Sequence, residues 1–391
     1  MFAVFTTARK AALAVVALAA VALVSACDTA MVGGGGPTIN TSKPVPVALL
    51  VPQSSDQGGA AVLAQSLENA ARLAIADLQN VQIDLRVYDT KGDAATAATV
   101  ARQAVSDGAR IILGPVYAEA ANAAGLAVAG QQINVLSFSN NPSIAGGNVY
   151  VLGPTFENTA RRLAGYASRQ GKSNILIVNG TDVSGQMGRN AIRMALAETG
   201  AREAGAISHE LSQQGVIDSV PKIRDAVETQ GADALFLTAT TAGALPLLTQ
   251  LLPEAGVSPE TTQYIGLTRW DIPAQTLALP GVQGGWFAMP DPVLATQFRD
   301  RYAHTYGGPP HPIGGLAYDG IAAIGALVGA GKSNALTGAA LTQPAGYKGV
   351  SGIFRLRPDG TNERGLAVAT IQNKQVVVID PAPTNFSGAG F

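Results

Sequence analysis

"LRVYDTKGDAATAATVARQAVSDGARIILGP", residues 85–115, changes its periodicity twice. Ile83–Asp89 is a short run with β-branched and aromatic residues, suited to a strand. Asp93 to Gly108 follows, rich in small residues at helical spacing, and predicts a helix. Residues 109–114, "ARIILG", are apolar again and end on Gly-Pro. Strand, helix and strand in that order form a crossover between parallel strands.

The same beat extends in both directions. Before it stand a strand at 47–51, "VALLV", and a helix carrying Val62, Leu63, Leu67, Ala70, Ala71, Ala74, Ile75 and Leu78. After it come a helix through Gly130 and the strands "INVLSFS" (133–139) and "NVYVLGP" (148–154). A second set runs from 156 to 270. It comprises a helix with Thr155 or Asn158 as its cap, "NILIVNG" (174–180), a helix at 185–199, an extended piece at 201–211, a helix at 219–230, "ALFLTAT" (234–240), a helix at 242–255 and "QYIGL" (263–267). Strands that are continuously apolar, alternating with helices, imply parallel sheets covered on both faces.

From 284 the beat breaks. "GGWFAMP" (284–290) predicts one more strand, followed by helices at 291–306, 312–331 and 333–342. Extended pieces close the chain, with hairpin turns at "RPDG" and "NK". This part is too small for a third domain, so it completes the two sheets.

Composition narrows the function classes. Lys and Arg number 26 against 27 Asp and Glu, a formal net charge of −1, which is no footprint for nucleic acid. With 47% hydrophobic and 14% charged residues, the chain has the material for a large core. The histidines, His209, His304 and His311, fall into no metal-ligand spacing and read as surface or capping residues. No G-x-S-x-G elbow occurs. "GALVGAGKS" (325–333) imitates a phosphate loop, but its first glycine is misplaced and it ends a helix instead of opening one. No catalytic residue, metal or cofactor is expected.

The N-terminus reads as an export signal. Arg9 and Lys10 precede an apolar run from Ala11 to Val24. As a helix this run spans about 21 Å, short of the ~30 Å membrane core. Val24-Ser25-Ala26-Cys27 resembles the bacterial lipobox, which implies cleavage before Cys27 and attachment of lipid to its thiol. Cys27 is the single cysteine in the chain, so no internal disulfide is available to it. Residues 28–44 lack apolar periodicity and carry four consecutive glycines, the composition of a flexible tether.

Several segments together resemble the type I periplasmic binding proteins, and in particular the leucine/branched-chain amino-acid binding family of ABC importers. They are "VALLVPQSSDQG" (47–58), residues 85–115, "INVLSFSNNP" (133–142) and "LAYDGIAAI" (316–324). The resemblance spans about 46–380. It implies an α/β fold of two Rossmann-like lobes, with parallel sheets flanked by helices and several crossover strands around an interlobe cleft. It implies the following division: signal peptide 1–26, lipidated cysteine and tether 27–45, first lobe 46–154 plus about 285–331, second lobe and crossover 155–284 plus about 332–380, and a tail 381–391.

In such proteins a small polar ligand of the amino-acid or amide class sits at the carboxyl ends of the strands. The corresponding residues here are Gln53, Ser54, Ser55, Tyr117, Ala118, Ser139, Asn140, Asn141, Asp182, Ser184, Thr240, Thr268, Arg269 and Asp271. Ala118 and Asn140 stand where family members grip an amino-acid carboxylate with hydroxyls, and the tyrosine expected near Ser184 is missing. The loop that holds the ammonium reads Thr268-Arg269-Trp270-Asp271. "ILGP", "VLSFSNNP", "GGWFAMPDP" (284–292) and residues 349–368 also resemble the penicillin-binding protein activators, lipoproteins that regulate peptidoglycan synthesis. The partners implied are an ABC permease or a penicillin-binding protein. The expected location is the periplasm, with the membrane reached through the lipid on Cys27.

Overall fold

The computed structural model describes residues 36–387. The signal peptide, Cys27 and the tether as far as residue 35 lie outside the described residues.

The first lobe is built on strands β1 (Val45–Val51), β2 (Ile83–Asp89), β3 (Ile111–Leu113), β4 (Val135–Ser137) and β5 (Val149–Val151). They form a five-stranded parallel sheet in the order β2-β1-β3-β4-β5. Helices α1 (Ala60–Asp77), α2 (Ala94–Ser106) and α3 (Ala118–Val128) connect them. Because β1 lies between β2 and β3, α2 carries the chain across it. The side chain of Asp93 accepts a hydrogen bond from Thr96 N–H and starts α2. Alternation along β1 covers both faces: Val47, Leu49 and Val51 enter one core, while Ala48 and Leu50 enter the opposite one.

The second lobe follows with α4 (Phe156–Arg169), β6 (Asn174–Gly180), α5 (Val183–Thr199), β7 (Arg202–His209), α6 (Gln213–Gln230), β8 (Ala234–Leu237), α7 (Leu245–Glu254), β9 (Gln263–Gly266) and β10 (Trp286–Met289). Helix α6 begins six residues before the expected start at 219. Ser212 caps it by accepting from Gly215 N–H, and Pro221 sits inside the helix. Leu176 and Val178 of β6 face one core and Ile175 and Ile177 the other, so this sheet is also buried on both sides.

The closing third of the chain contains α8 (Pro292–Tyr306), α9 (Gly315–Gly329), α10 (Gly338–Leu341), β11 (Tyr347–Gly349), β12 (Gly352–Leu356), β13 (Asn362–Arg364), β14 (Ala367–Gln372) and β15 (Gln375–Asp380). Its distribution differs from the expected one. Strand β10, expected with the first lobe from about 285, pairs parallel with β9 and belongs to the second sheet, whose order is β15-β14-β10-β9-β8-β6-β7. Residues 335–356, expected with the second lobe, bury Leu336, Leu341, Tyr347 and Phe354 in the first-lobe core. Of the segment after 332, β14 and β15 join the second sheet, and they run antiparallel. Strand pairing is non-local, so the composition of these pieces carried no information about which sheet would take them.

The tether is also shorter than expected. Ile39, within the span read as flexible coil, is 7% exposed and packs in the first-lobe core, and its N–H donates to the Ser333 carbonyl at 2.8 Å. A turn over Asn40–Lys43 then leads into β1. At the other end, Phe386 in the tail lies against Arg355 of β12, whose guanidinium carbon is 4.5 Å from the ring centroid.

The chain passes between the lobes three times: after β5 at 152–155, after β10 at 290–291, and between β13 and β14 at 365–366. β5 leaves the first sheet from its carboxyl end straight into the second lobe, and β10 leaves the second sheet the same way into the first. The parallel strands of both sheets therefore aim their carboxyl ends at the junction. Among the described residues, no helix is long and apolar enough to cross a membrane.

Candidate functional site

On the first-lobe side, Ser54 turns back onto the end of β2: its N–H donates to Asp89 Oδ1 at 3.2 Å and its hydroxyl to Oδ2. Partial burial works to raise the Asp89 carboxyl, but hydrogen bonds from the Ser54 hydroxyl and from backbone N–H groups outweigh it and hold the group below the usual carboxylate range. Ser55 and Tyr117 gather around Gly92; a Cβ there would stand 2.7 Å from Ser55 Oγ and 3.2 Å from the Tyr117 ring. Gln53 and Asn140 are exposed, and Ala118 opens α3. Ser139 is buried, with its hydroxyl accepting from Asn141 N–H, and the Asn141 side chain accepts from Ser143 N–H. Ser139 and Asn141 thus spend their polar atoms on a turn.

On the second-lobe side, Asp182 caps α5 by accepting from Gly185 N–H at 3.3 Å. Ser184 and Thr240 are exposed at the ends of β6 and β8. The Thr268 hydroxyl donates to the Ala239 carbonyl at 3.2 Å. Trp270 pins the following loop: it is fully buried between Gly266 and Gly285, and a Cβ on either glycine would come within 2.2 Å of its ring. Its neighbours Arg269 and Asp271 face each other, with Nε donating to Oδ1 at 2.9 Å and a second bond from Nη2 to Oδ2. Asp271 is thereby neutralised within its own loop.

Three cavities occupy this region. One of about 600 Å³ lies wholly in the second lobe, at the carboxyl ends of β6, β7 and β8, and takes in Asp182, Ser184 and Thr240. Two others, of about 410 and 310 Å³, adjoin along the crossovers and share Arg269, Ile272, Met289, Pro290 and Pro312. Asp271 lines the larger of this pair and Thr268 the smaller. Gln53, Ser54, Ser55, Tyr117, Ala118, Ser139, Asn140 and Asn141 line none of the three.

The sequence reading missed His209, Leu211, Ser212, Gln213 and Val216, which also line the second-lobe cavity. A helix start placed at 219 hid them. The signal was present, a Ser N-cap followed by Val216, Val220 and Ile223 at helical spacing. His209, expected at the surface or at a cap, is 3% exposed. His311 is half-buried in the larger junction cavity, where desolvation holds its imidazole below the ordinary value. Among the described residues no cluster of His, Cys, Asp and Glu is placed to hold a metal.

A family model for periplasmic binding proteins matches residues 44–375. Among solved structures, a candidate branched-chain amino acid ABC transporter protein from Rhodospirillum rubrum superposes with a TM-score of 0.73 at 20% identity, over 86% of this chain and 100% of its own. A branched-chain amino acid ABC transporter periplasmic ligand-binding protein from Burkholderia xenovorans gives 0.67 at 17% identity, over 88% and 97%. An ABC transporter substrate-binding protein from Desulfitobacterium hafniense, solved in complex with leucine, gives 0.61 at 18% identity, over 86% and 100%. No curated protein sequence matches the chain.

Proposed function

The chain belongs to the periplasmic binding protein family, and from that premise we propose that it is a non-catalytic solute-binding lipoprotein of an ABC importer. It closes two lobes on a small polar ligand of the amino-acid or amide class and presents it to a membrane permease. The supporting observation is the triple crossover, which brings the carboxyl ends of both sheets to one junction. Short connecting segments of this kind can absorb the backbone rotation of a hinge. The leucine bound by the Desulfitobacterium hafniense relative favours the same ligand class here. Cys27, as the lipid attachment point, keeps the protein at the periplasmic face of the membrane.

The ligand-contacting residues in this reading are those at the strand ends: Ser54, Ser55 and Tyr117 from the first lobe, and Asp182, Ser184, Thr240, Thr268 and Arg269 from the second. Closure is the measurable event. Amino acids and amides added to the full-length protein in detergent should raise its melting temperature, because a ligand at a hundred times its Kd adds about 2.7 kcal/mol. The same ligands should reduce the distance between labels placed one on each lobe. If no such solute moves either quantity, and the protein instead captures a penicillin-binding protein from membranes, the importer reading fails and the cell-wall regulator reading replaces it.

A further inference from the structure

We propose that the two adjoining cavities at the lobe junction form a second binding site, for an apolar monocarboxylate, with Arg299 holding the carboxylate and the smaller cavity taking the hydrocarbon body. Such a ligand goes beyond the solute-binding reading and leaves the amino-acid or amide solute at the strand ends. Of the residues assigned to that solute, only Thr268 and Arg269 line the junction cavities. The walls come instead from the three crossovers, at Thr155, Pro290 and Leu366, and from the first-lobe segments that carry Arg299, His311 and Leu316.

Charge selects the polar end of the ligand. Three arginines and one aspartate line the pair of cavities. Arg269 is bonded to that aspartate, Asp271, and Arg364 to the buried Asp319. Arg299 is left over: among the described residues its side chain bonds only the Thr296 hydroxyl, at 2.9 Å, and no carboxylate pairs with it. It is exposed to solvent, so its remaining donors are open to a ligand. His311, in the same cavity as Arg299, accepts from Ile313 N–H at Nδ1, so in the neutral ring Nε2 carries the hydrogen and donates. Donors are in surplus, and one cation is uncompensated. A guanidinium in that position suits a carboxylate, which it can grip through two parallel N–H groups.

The smaller cavity selects the other end. Its volume of about 310 Å³ is bounded by Phe156, Leu267, Ile313, Leu316 and Leu366. The polar groups among them are already engaged: Thr155 Oγ1 accepts from Asn158 Nδ2 at 3.0 Å, and the Thr268 hydroxyl donates to the Ala239 carbonyl. A polar body placed there would give up hydrogen bonds to water without replacing them, whereas a hydrocarbon body is stabilised by leaving water. Ile272, Met289, Pro290 and Pro312 line both cavities, so one molecule can reach from the cationic end to the apolar one.

Hexanoate, hexanamide, hexylamine and acetate test the assignment by calorimetry and thermal unfolding of the full-length protein in detergent. Hexanoate should bind at least tenfold more tightly than hexanamide or acetate, and hexylamine should not bind. Acetate binding as tight as that of hexanoate would mean an ion on Arg299 alone, and equal binding of hexanamide an apolar hollow alone; either result overturns the assignment. Arg299→Gln, at an exposed position, should cost hexanoate tenfold or more. Ile272→Glu, at a position 51% exposed that lines both cavities, should abolish binding by setting a fixed carboxylate beside the ligand's own. Wild-type hexanoate affinity in either variant overturns the assignment too. The interlobe label distance separates this failure from that of the importer reading. Hexanoate binding that depends on Arg299, in a protein that no amino acid or amide closes, keeps the junction site and rejects the importer. Solute-driven closure in a protein that does not bind hexanoate does the reverse.

Discussion

Arg364 Nη1 donates to Asp319 Oδ2 at 2.9 Å, joining the last crossover to α9 in a site where Asp319 has no exposure to solvent. Asp319 also accepts from Val350 N–H, and the Arg364 Nε donates to the Leu152 carbonyl in the first crossover. Next to it, Asn362 donates to the carbonyls of Val151 and Gly153. Two of the three interlobe passages are thus fastened to each other through fully desolvated polar groups.

Removing one partner should leave a buried, uncompensated charge. Asp319→Ala is expected to cost about 3–5 kcal/mol, read as a lower urea midpoint. Adding Arg364→Met to that variant should restore part of the loss, because the orphaned cation is gone. A cost below about 1 kcal/mol would place the pair in the class of exposed ion pairs.

Trp270 gives a second test, this time of the loop that carries Arg269 and Asp271. Trp270→Ala should destabilise by about 3–5 kcal/mol. Gly285→Ala should cost about 1–3 kcal/mol by overpacking, since its Cβ would stand 2.2 Å from the indole. Equilibrium unfolding of each variant measures both, and an unchanged midpoint for Gly285→Ala would mean the indole is free to shift.

His311 sets an expectation for pH. Burial lowers its imidazole from the ordinary 6.5, so on acidification the unfolded chain takes up that proton before the folded one does. Its contribution to stability is therefore intact above about pH 6.5 and is lost as pH falls through the interval down to the folded value. His311→Asn should flatten the stability profile in that window, with Arg269, Asp271 and Arg299 of the same cavity left in place. A profile identical to wild type would assign the acid sensitivity elsewhere.

For the membrane attachment we propose, Cys27→Ser should move the processed protein from the membrane to the soluble fraction. Lipid chains contribute about 0.8 kcal/mol per buried CH₂, and among the described residues no helix is long and apolar enough to cross a membrane. Fractionation followed by immunoblotting decides it: a processed variant that stays with the membrane would remove Cys27 from that role.

Much of the fold was legible because its cause is local. Leu49 and Leu50 enter opposite cores as neighbours on a strand buried on both faces, and an apolar run such as "VALLV" signals that burial directly. Asp93 announces α2 by a side chain that bonds three residues ahead. What escaped depends on distant partners. Nothing near Trp286 or Tyr347 indicates which lobe each will join, and Ile39 looks like linker until Ser333 is placed beside it. The site divided in the same way. Asp182, Ser184 and Thr240 meet in one cavity as residues that follow strand ends, but their companions Ser212, Gln213 and Val216 fall before the expected helix start at 219.

The docking of Ile39 has a mechanical consequence. If Cys27 carries lipid as we propose, the first lobe would be the stator of the machine: Gly36 lies nine residues after Cys27, a reach of about 30 Å at most, and beyond them the Ile39 backbone is bolted to Ser333. Any rotation about the three crossovers would then swing the second lobe against a body moored to the bilayer. Asp182, Ser184 and Thr240 would ride on the moving part, while the moored lobe would keep its station at the membrane.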